Sequence, residues 1–313
     1  MKSNKIRDIN CYTCSSKDFI FLPFGYKFHG MDLRAVKCKN CGLIFIHPQP
    51  DPEELKSLYS EGYFRTTDLH LRPHGRADYI HSVEEKKEKE VYNKRLQELS
   101  KYVTKGNLLE IGCGPGHFLH QAKLDGWEVI GIEISQFAAQ YAKNKFGLNV
   151  FEGTVDEVAL PEQTFDVVFM GDLLEHIPNP KELLLKIKKY ISDNGIVYVE
   201  VPSVTNGLFS RLGTLMLNAF GKIKYINLPP YHLFEFTPRN CRALFDITNY
   251  TIIRMRQGIV SPKDIGFRDS LLTNLLKFKL QLINYLITKS TGRLGDRLTI
   301  IARPKLQNVH PDV

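Results

Sequence analysis

This sequence predicts an α/β fold: a mostly parallel sheet with helices on both faces, preceded by a small, separate N-terminal unit. Three observations predict it. Between about residues 106 and 201, short apolar runs alternate with helix-like segments, the pattern of βαβ units. The first of those runs ends in a glycine-rich turn, Glu110-Ile111-Gly112-Cys113-Gly114-Pro115-Gly116. Four of the six cysteines stand in two C-x-x-C pairs far upstream of the alternating region.

The chain has 313 residues, 43% of them hydrophobic and 24% charged, which fits one full-sized globular domain plus a small one. No run approaches the roughly 18 uninterrupted apolar residues of a membrane span. Met1 to Asn10 is polar and charged, unlike a secretory leader, so a cytoplasmic, reducing compartment is expected. The net charge is +8. That excess brings nucleic acid into view, but it is modest for this length and equally suits an anionic small molecule.

From the N-terminus, Cys11, Cys14, Cys38 and Cys41 form two knuckles, the arrangement that supplies a zinc ion with four tetrahedral ligands. Gly42 follows the second pair, where such a turn wants a positive φ; Ser15 stands at the equivalent place in the first. Disulfides or a redox dithiol are the alternatives, and a reducing compartment disfavours disulfides. Cys113 and Cys241 read as small buried residues. Val36 and Leu43 to Ile46 suit strands, and Asp51 suits the cap of a short helix to Tyr59, with Pro52 in its first turn. Residues 62 to 76 read as loop. A helix is expected from Ala77 to Tyr102, with Glu84 to Glu90 as a solvated face. These segments divide the chain into a ribbon and linker (1–60), a helical linker or cap (61–105) and the main domain (106–313), which carries an inserted cap at about 203–235.

The glycine turn lets a ligand lie directly on the backbone, because glycine has no Cβ to hold it off. A dinucleotide fingerprint would place a third glycine at position 117; His117 is there instead, and the glycine comes early, at Gly116. Pro115 suits the first turn of the next helix. The second apolar run, Trp127 to Ser135, ends in Glu133, about 20 residues past the first glycine, where a carboxylate reaches a ribose diol. Glu133 also suits the cap region of a helix starting near Ser135.

The E-x-G-x-G-x-G turn resembles motif I of the class I S-adenosylmethionine-dependent methyltransferases. Phe151 to Glu157, Phe165 to Asp172, Leu173 to Pro180 and Gly195 to Pro202 resemble, in order, that family's later segments. The resemblance implies a Rossmann-like, seven-stranded, mostly parallel sheet. Its sixth strand would be Thr251 to Arg256, and its antiparallel seventh Leu298 to Arg303. Thr237 would cap a helix through Phe245, and Ser270 to Thr288 would form another, with an apolar side. The resemblance further implies S-adenosylmethionine as donor beside a structural Zn2+. Glu110 would orient the methionyl ammonium; Gly112, Cys113, Gly114 and Gly116 would let that end sit close. Glu133 and Ile134 would hold the ribose, Thr154 and Val155 the adenine edge, and Met170 and Gly171 would line the reacting end.

Taken with the ribbon, the pattern resembles a branch tied to bacterial sugar and surface-polysaccharide synthesis. That implies a small or nucleotide-linked acceptor. Sugar C-methyltransferases carry a Y-H-E-H-L motif whose last histidine matches His232, but Pro230 and Tyr231 stand where the His-Glu pair would be. The core, notably Leu174-Glu175-His176, also resembles quinone O-methyltransferases. His232 and His176 are the candidate bases, since imidazole titrates near neutrality; Tyr231 and Glu235 are weaker ones. An RNA methyltransferase gripping nucleic acid through Phe19, Phe21, Phe24, Tyr26, Lys27 and Arg34 is a further alternative. Residues 203 to 230 read as a helix capping the site, or as a lid meeting a lipid-linked substrate or a membrane surface.

Overall fold

The computed structural model describes residues 6–65, 86–226, 230–264 and 271–305. The expected helix start at 77–85, the loop after Arg65 and the tail after Lys305 lie outside the described residues.

The N-terminal unit holds β1 (Ile6–Arg7), β2 (Phe19–Phe28), β3 (Met31–Cys38), β4 (Ile44–His47) and β5 (Gln49–Pro50). Asp51 then caps α1 (Pro52–Ser57) by accepting from the Glu53 amide at 3.1 Å. That helix stops two residues short of the expected Tyr59. Where a loop was expected, Glu61–Arg65 forms α2, tied by a 3.1 Å Glu61–Arg65 ion pair. Tertiary packing overrides its glycine: Phe64 is buried against Ala138.

After α3 (Lys86–Leu99), the alternating region follows as β6 (Asn107–Ile111), α4 (His117–Leu124), β7 (Glu128–Glu133), α5 (Gln136–Phe146), β8 (Val150–Glu152), β9 (Phe165–Gly171), α6 (Pro180–Ile187) and β10 (Ile191–Pro202). The remaining elements are α7 (Leu208–Ala219), β11 (Lys224–Ile226), β12 (Phe234–Glu235), α8 (Pro238–Ile247), β13 (Tyr250–Gly258), α9 (Leu271–Thr291) and β14 (Arg297–Pro304). Local chemistry fixes the ends. Ser135 caps α5, Asn179 caps α6 ahead of Pro180, and Thr237 with Asn240 forms a capping box on α8. Pro115 is a correction to the sequence reading: Gly116 is the cap of α4, so the proline precedes the helix rather than opening it.

Seven strands form the main sheet in the order β13-β14-β10-β9-β6-β7-β8. The five from β10 to β8 run parallel, and β14 is antiparallel to both neighbours. Both faces are covered, so the strands read as continuous apolar runs whose residues alternate between two cores. Leu109, Val168, Met170 and Val199 enter one core; Leu108, Val167, Phe169 and Tyr198 enter the other.

The ribbon sheet is larger than the N-terminal sequence alone suggests. Its order is β11-β2-β3-β4-β12, so both outer strands come from the segment after β10. β12 pairs with β4 through Phe234 and Phe45, and β11 pairs with β2 through Lys224 and Phe24. The N-terminal unit and the inserted segment therefore build one layer.

Candidate active site

The turn after β6 carries three glycines with positive φ: 72° at Gly112, 52° at Gly114 and 81° at Gly116. They do different things. A Cβ on Gly112 would lie 2.7 Å from the Leu173 side chain, beside the cleft. A Cβ on Gly116 would meet Ala142 at 2.8 Å and Leu148 at 2.7 Å, so this glycine lets α4 pack against α5. Gly116 is not among the residues that line the cleft, and its surroundings give it a packing role.

A cleft opens at the C-terminal ends of β6 and β9. Glu110, Gly112, Cys113 and Gly114 line it from one side, and Phe169, Gly171 and Asp172 from another. Met170, expected here, is fully buried in the opposite core, because adjacent strand residues face opposite ways; Phe169 takes the position instead. Cys113 is buried, as is Cys241.

Arg95 of α3 also lines the cleft, and nothing in its local sequence singled it out. It donates to Glu200, while Arg297 donates to both oxygens of Asp172 at 2.6 and 2.8 Å. Asp172 has φ 51°, in the left-handed region that Asp enters more readily than most side chains. Glu110 Oε2 and Arg95 Nε, both buried at the cleft, lack hydrogen-bond partners. Burial raises the Glu110 carboxyl well above its ordinary value, with Arg95 opposing.

Glu133 is buried at the end of β7. Its oxygens accept from the amides of Gly114 and Ser135, each at 2.8 Å. Burial raises its carboxyl and those amides pull it back. Each oxygen keeps a second lone pair for a ligand hydroxyl. Ile134 is half-buried beside it, and Val155 is buried in the core below β8. The Thr154 amide donates to Glu157 Oε2 at 2.7 Å, which pulls the Glu157 carboxyl down and fixes the turn.

A second cluster stands just past Gly171 and Asp172. Residues 174–176 form a 3-10 turn in which Glu175 is fully buried and both its oxygens lack partners. His176 Nδ1 is 2.6 Å from the Tyr231 carbonyl and 3.0 Å from the Tyr59 hydroxyl. A carbonyl only accepts, so Nδ1 carries the proton and Nε2 is the basic nitrogen, 3.6 Å from Glu175 Oε1. The rings of His176 and His232 meet edge-on at 4.9 Å. Ligand atoms of Glu175, His176 and His232 all lie within 4.8 Å of one another, a set that could also accept a cation. Tyr59, Tyr63 and Tyr231 stand over the cluster with ring centroids 5.2 to 6.3 Å apart.

The ribbon helps to hold that cluster together. The Leu233 amide donates to the Glu175 carbonyl, and the Ile46 amide donates to the Leu233 carbonyl, both at 2.9 Å. His232 is thereby fixed between β4 and the 3-10 turn. In the same unit the four knuckle thiols are free, with ligand atoms within 4.8 Å of one another. Sulfur pairs at 3.3 Å (Cys11–Cys41) and 3.4 Å (Cys14–Cys38) are near the roughly 3.8 Å edge that 2.3 Å Zn–S bonds imply. Burial pushes the Cys41 thiol up to about 11; it acts on Cys38 too, but the Cys41 amide and the Cys14 thiol bring that group down to about 7. Gly42 and Ser15 both adopt positive φ, 79° and 56°. The donor set fits zinc.

The ubiquinone biosynthesis O-methyltransferase of Rickettsia akari is 23% identical over 141 residues, 44% of this chain and 56% of that protein. Its mitochondrial namesake from Schizosaccharomyces pombe is 30% identical over 118 residues, covering 35% and 42%. The chain thus spans about half the length of these curated relatives. A crystallised SAM-dependent methyltransferase from Archaeoglobus fulgidus is 24% identical with a TM-score of 0.48, covering 72% of this chain and 99% of that one. Residues 83–254, more than half of the chain, match the family described as a methyltransferase domain, and the chain belongs to that family.

Proposed function

We propose that this enzyme methylates a small acceptor, a nucleotide-linked sugar or another surface-polysaccharide precursor, at an O–H or acidic C–H whose proton passes to the His232–His176 pair. One observation carries the proposal: Glu175 and His176 follow, within four residues of chain, Asp172 at the border of the cleft, and His232 packs edge-on against His176.

Held in the cleft, S-adenosylmethionine supplies an electrophilic methyl group. The chain's own residues do the rest. The unpartnered Glu110 Oε2 and Arg95 Nε suit the ammonium and carboxylate of a methionyl group. An incoming ammonium also offsets the burial that raises the Glu110 carboxyl. Glu133 would offer its remaining lone pairs to a ribose diol, and the turn at Thr154 and Val155 would hold the adenine edge. His176 is oriented by the Tyr231 carbonyl with Nε2 available as base. An imidazolium formed there gains Glu175 as a carboxylate partner. His232, on the acceptor side, takes the acceptor's proton. The four knuckle cysteines hold a structural zinc that keeps the His232 strand docked.

The anionic phosphates of a nucleotide sugar suit the net charge of +8, and the ribbon resemblance favours this acceptor class. A phenolic quinone precursor is the second reading, favoured by the Tyr59, Tyr63 and Tyr231 walls and by the relatives' names. Labelled donor screened against both classes separates the two. His232→Ala is expected to lower kcat about 100-fold with donor affinity unchanged; normal turnover would remove His232 from the mechanism.

A further inference from the structure

Helices α7 and α9 are turned inside out. On α7, Leu212, Leu215, Met216 and Phe220 recur at helical spacing and face outward; Leu215 is 63% and Phe220 70% exposed. On α9, Leu275, Leu276, Leu282, Ile283 and Leu286 form a second outward stripe, with Leu286 59% exposed. The opposite side of α9 buries Asn284 and Thr288 instead. A helix normally hides its apolar stripe and shows its polar one. The apolar faces here are built to be covered by something else.

Charge indicates what covers them. From Leu208 to Ile226, and again from Leu271 to Thr291, there is no Asp or Glu. The same two segments carry Arg211, Lys222, Lys224, Lys277, Lys279 and Lys289, all exposed. Apolar side chains interleaved with cations and free of carboxylates match the boundary layer of an anionic bilayer, where lipid tails take the leucines and headgroup phosphates the cations. A second copy of the chain, brought up by two-fold symmetry, would set this cationic face against itself. Nucleic acid would use the cations but not the leucine stripes. None of the described helices is long and apolar enough to cross a membrane.

We propose that α7 and α9 together form a docking surface for an anionic lipid bilayer, on which the enzyme lies without spanning it. The test is vesicle co-sedimentation of the full-length protein, with pure phosphatidylcholine against a 70:30 mixture with phosphatidylglycerol. Binding to the anionic vesicles is expected to be at least about tenfold tighter and to weaken in high salt. The double variant Leu215→Asp/Leu286→Asp changes only outward residues, so it is expected to keep donor binding and thermal unfolding while losing the vesicles. Lys222→Glu/Lys279→Glu is expected to lose most of the preference for anionic lipid. No sedimentation with anionic vesicles, or sedimentation undiminished in the aspartate variant, would overturn the proposal. So would light scattering that finds a dimer which the aspartate variant splits, since the face would then join two copies. Equal capture of RNA and vesicles, with both lost only in the lysine variant, would overturn it as well.

Discussion

Gly112 and Gly116 look alike in the sequence and differ in what surrounds them. An added methyl at Gly116 meets a neighbouring helix at Ala142, which cannot swing away, in a backbone conformation that side chains avoid. Gly116→Ala is expected to lower stability by about 2–4 kcal/mol, read as a fall in Tm of roughly 5–15 °C. At Gly112 the obstacle is the end of the Leu173 side chain, which can move, so Gly112→Ala should keep more of its stability and lose donor affinity, measured by calorimetry. The glycine turn after β6 and the grouping of the four cysteines were legible because their signal is local spacing. Arg95 was not, since it comes from a charge-rich helix and reaches the cleft only through packing. Spacing does not tell Phe169 from Met170 at the cleft, since one strand position reverses the face.

Among the elements, β12 joins the ribbon to the acceptor side while carrying a carboxyl in an awkward place. Burial pushes Glu235 up to about 7, with the Thr205 backbone opposing, and its Oε2 has no partner. The folded state therefore holds this proton more tightly than the unfolded chain, whose value is near 4.5. Its contribution to stability is fully present below pH 4.5, falls as pH rises, and is gone above about 7. Glu235→Gln removes that dependence. Urea unfolding should find the variant gaining on the parent between pH 5 and pH 8, by roughly 2–3 kcal/mol; an equal difference at both pH values would show that Glu235 ionises normally. The two-residue β12 was invisible in the sequence, as was three-residue β11, because strands this short exist only through their partners in the ribbon. The long alternating core, by contrast, was readable strand by strand, its βαβ pattern carrying the order.

Across the whole molecule, donor and acceptor sites depend on different layers. The proposed donor cleft is built on β6 and β9 of the main sheet, whereas the strand that follows His232 is held against β4 of the ribbon. Metal removal should therefore act on one and spare the other. With Cys38→Ser, or after chelation, zinc measured by mass spectrometry should be lost and amide exchange at Leu233 and Phe234 should rise. Methyl transfer should drop at least about tenfold while donor affinity holds within about twofold. Equal loss of donor affinity would mean that the ribbon supports the main sheet as a whole.

The shared ribbon sheet also bears on how the chain is made. Its three central strands leave the ribosome first, but the partners for both outer edges arrive about 190 residues later. At 5–20 residues per second, the edges of β2 and β4 stay open for roughly 10–40 s. During that interval they are free to pair with any other extended segment nearby, including the same strands on a neighbouring nascent chain. Early metal capture by the knuckles would hold the half-built sheet in register through the wait, so zinc starvation should show first as aggregation of newly made protein, before any loss from the mature pool.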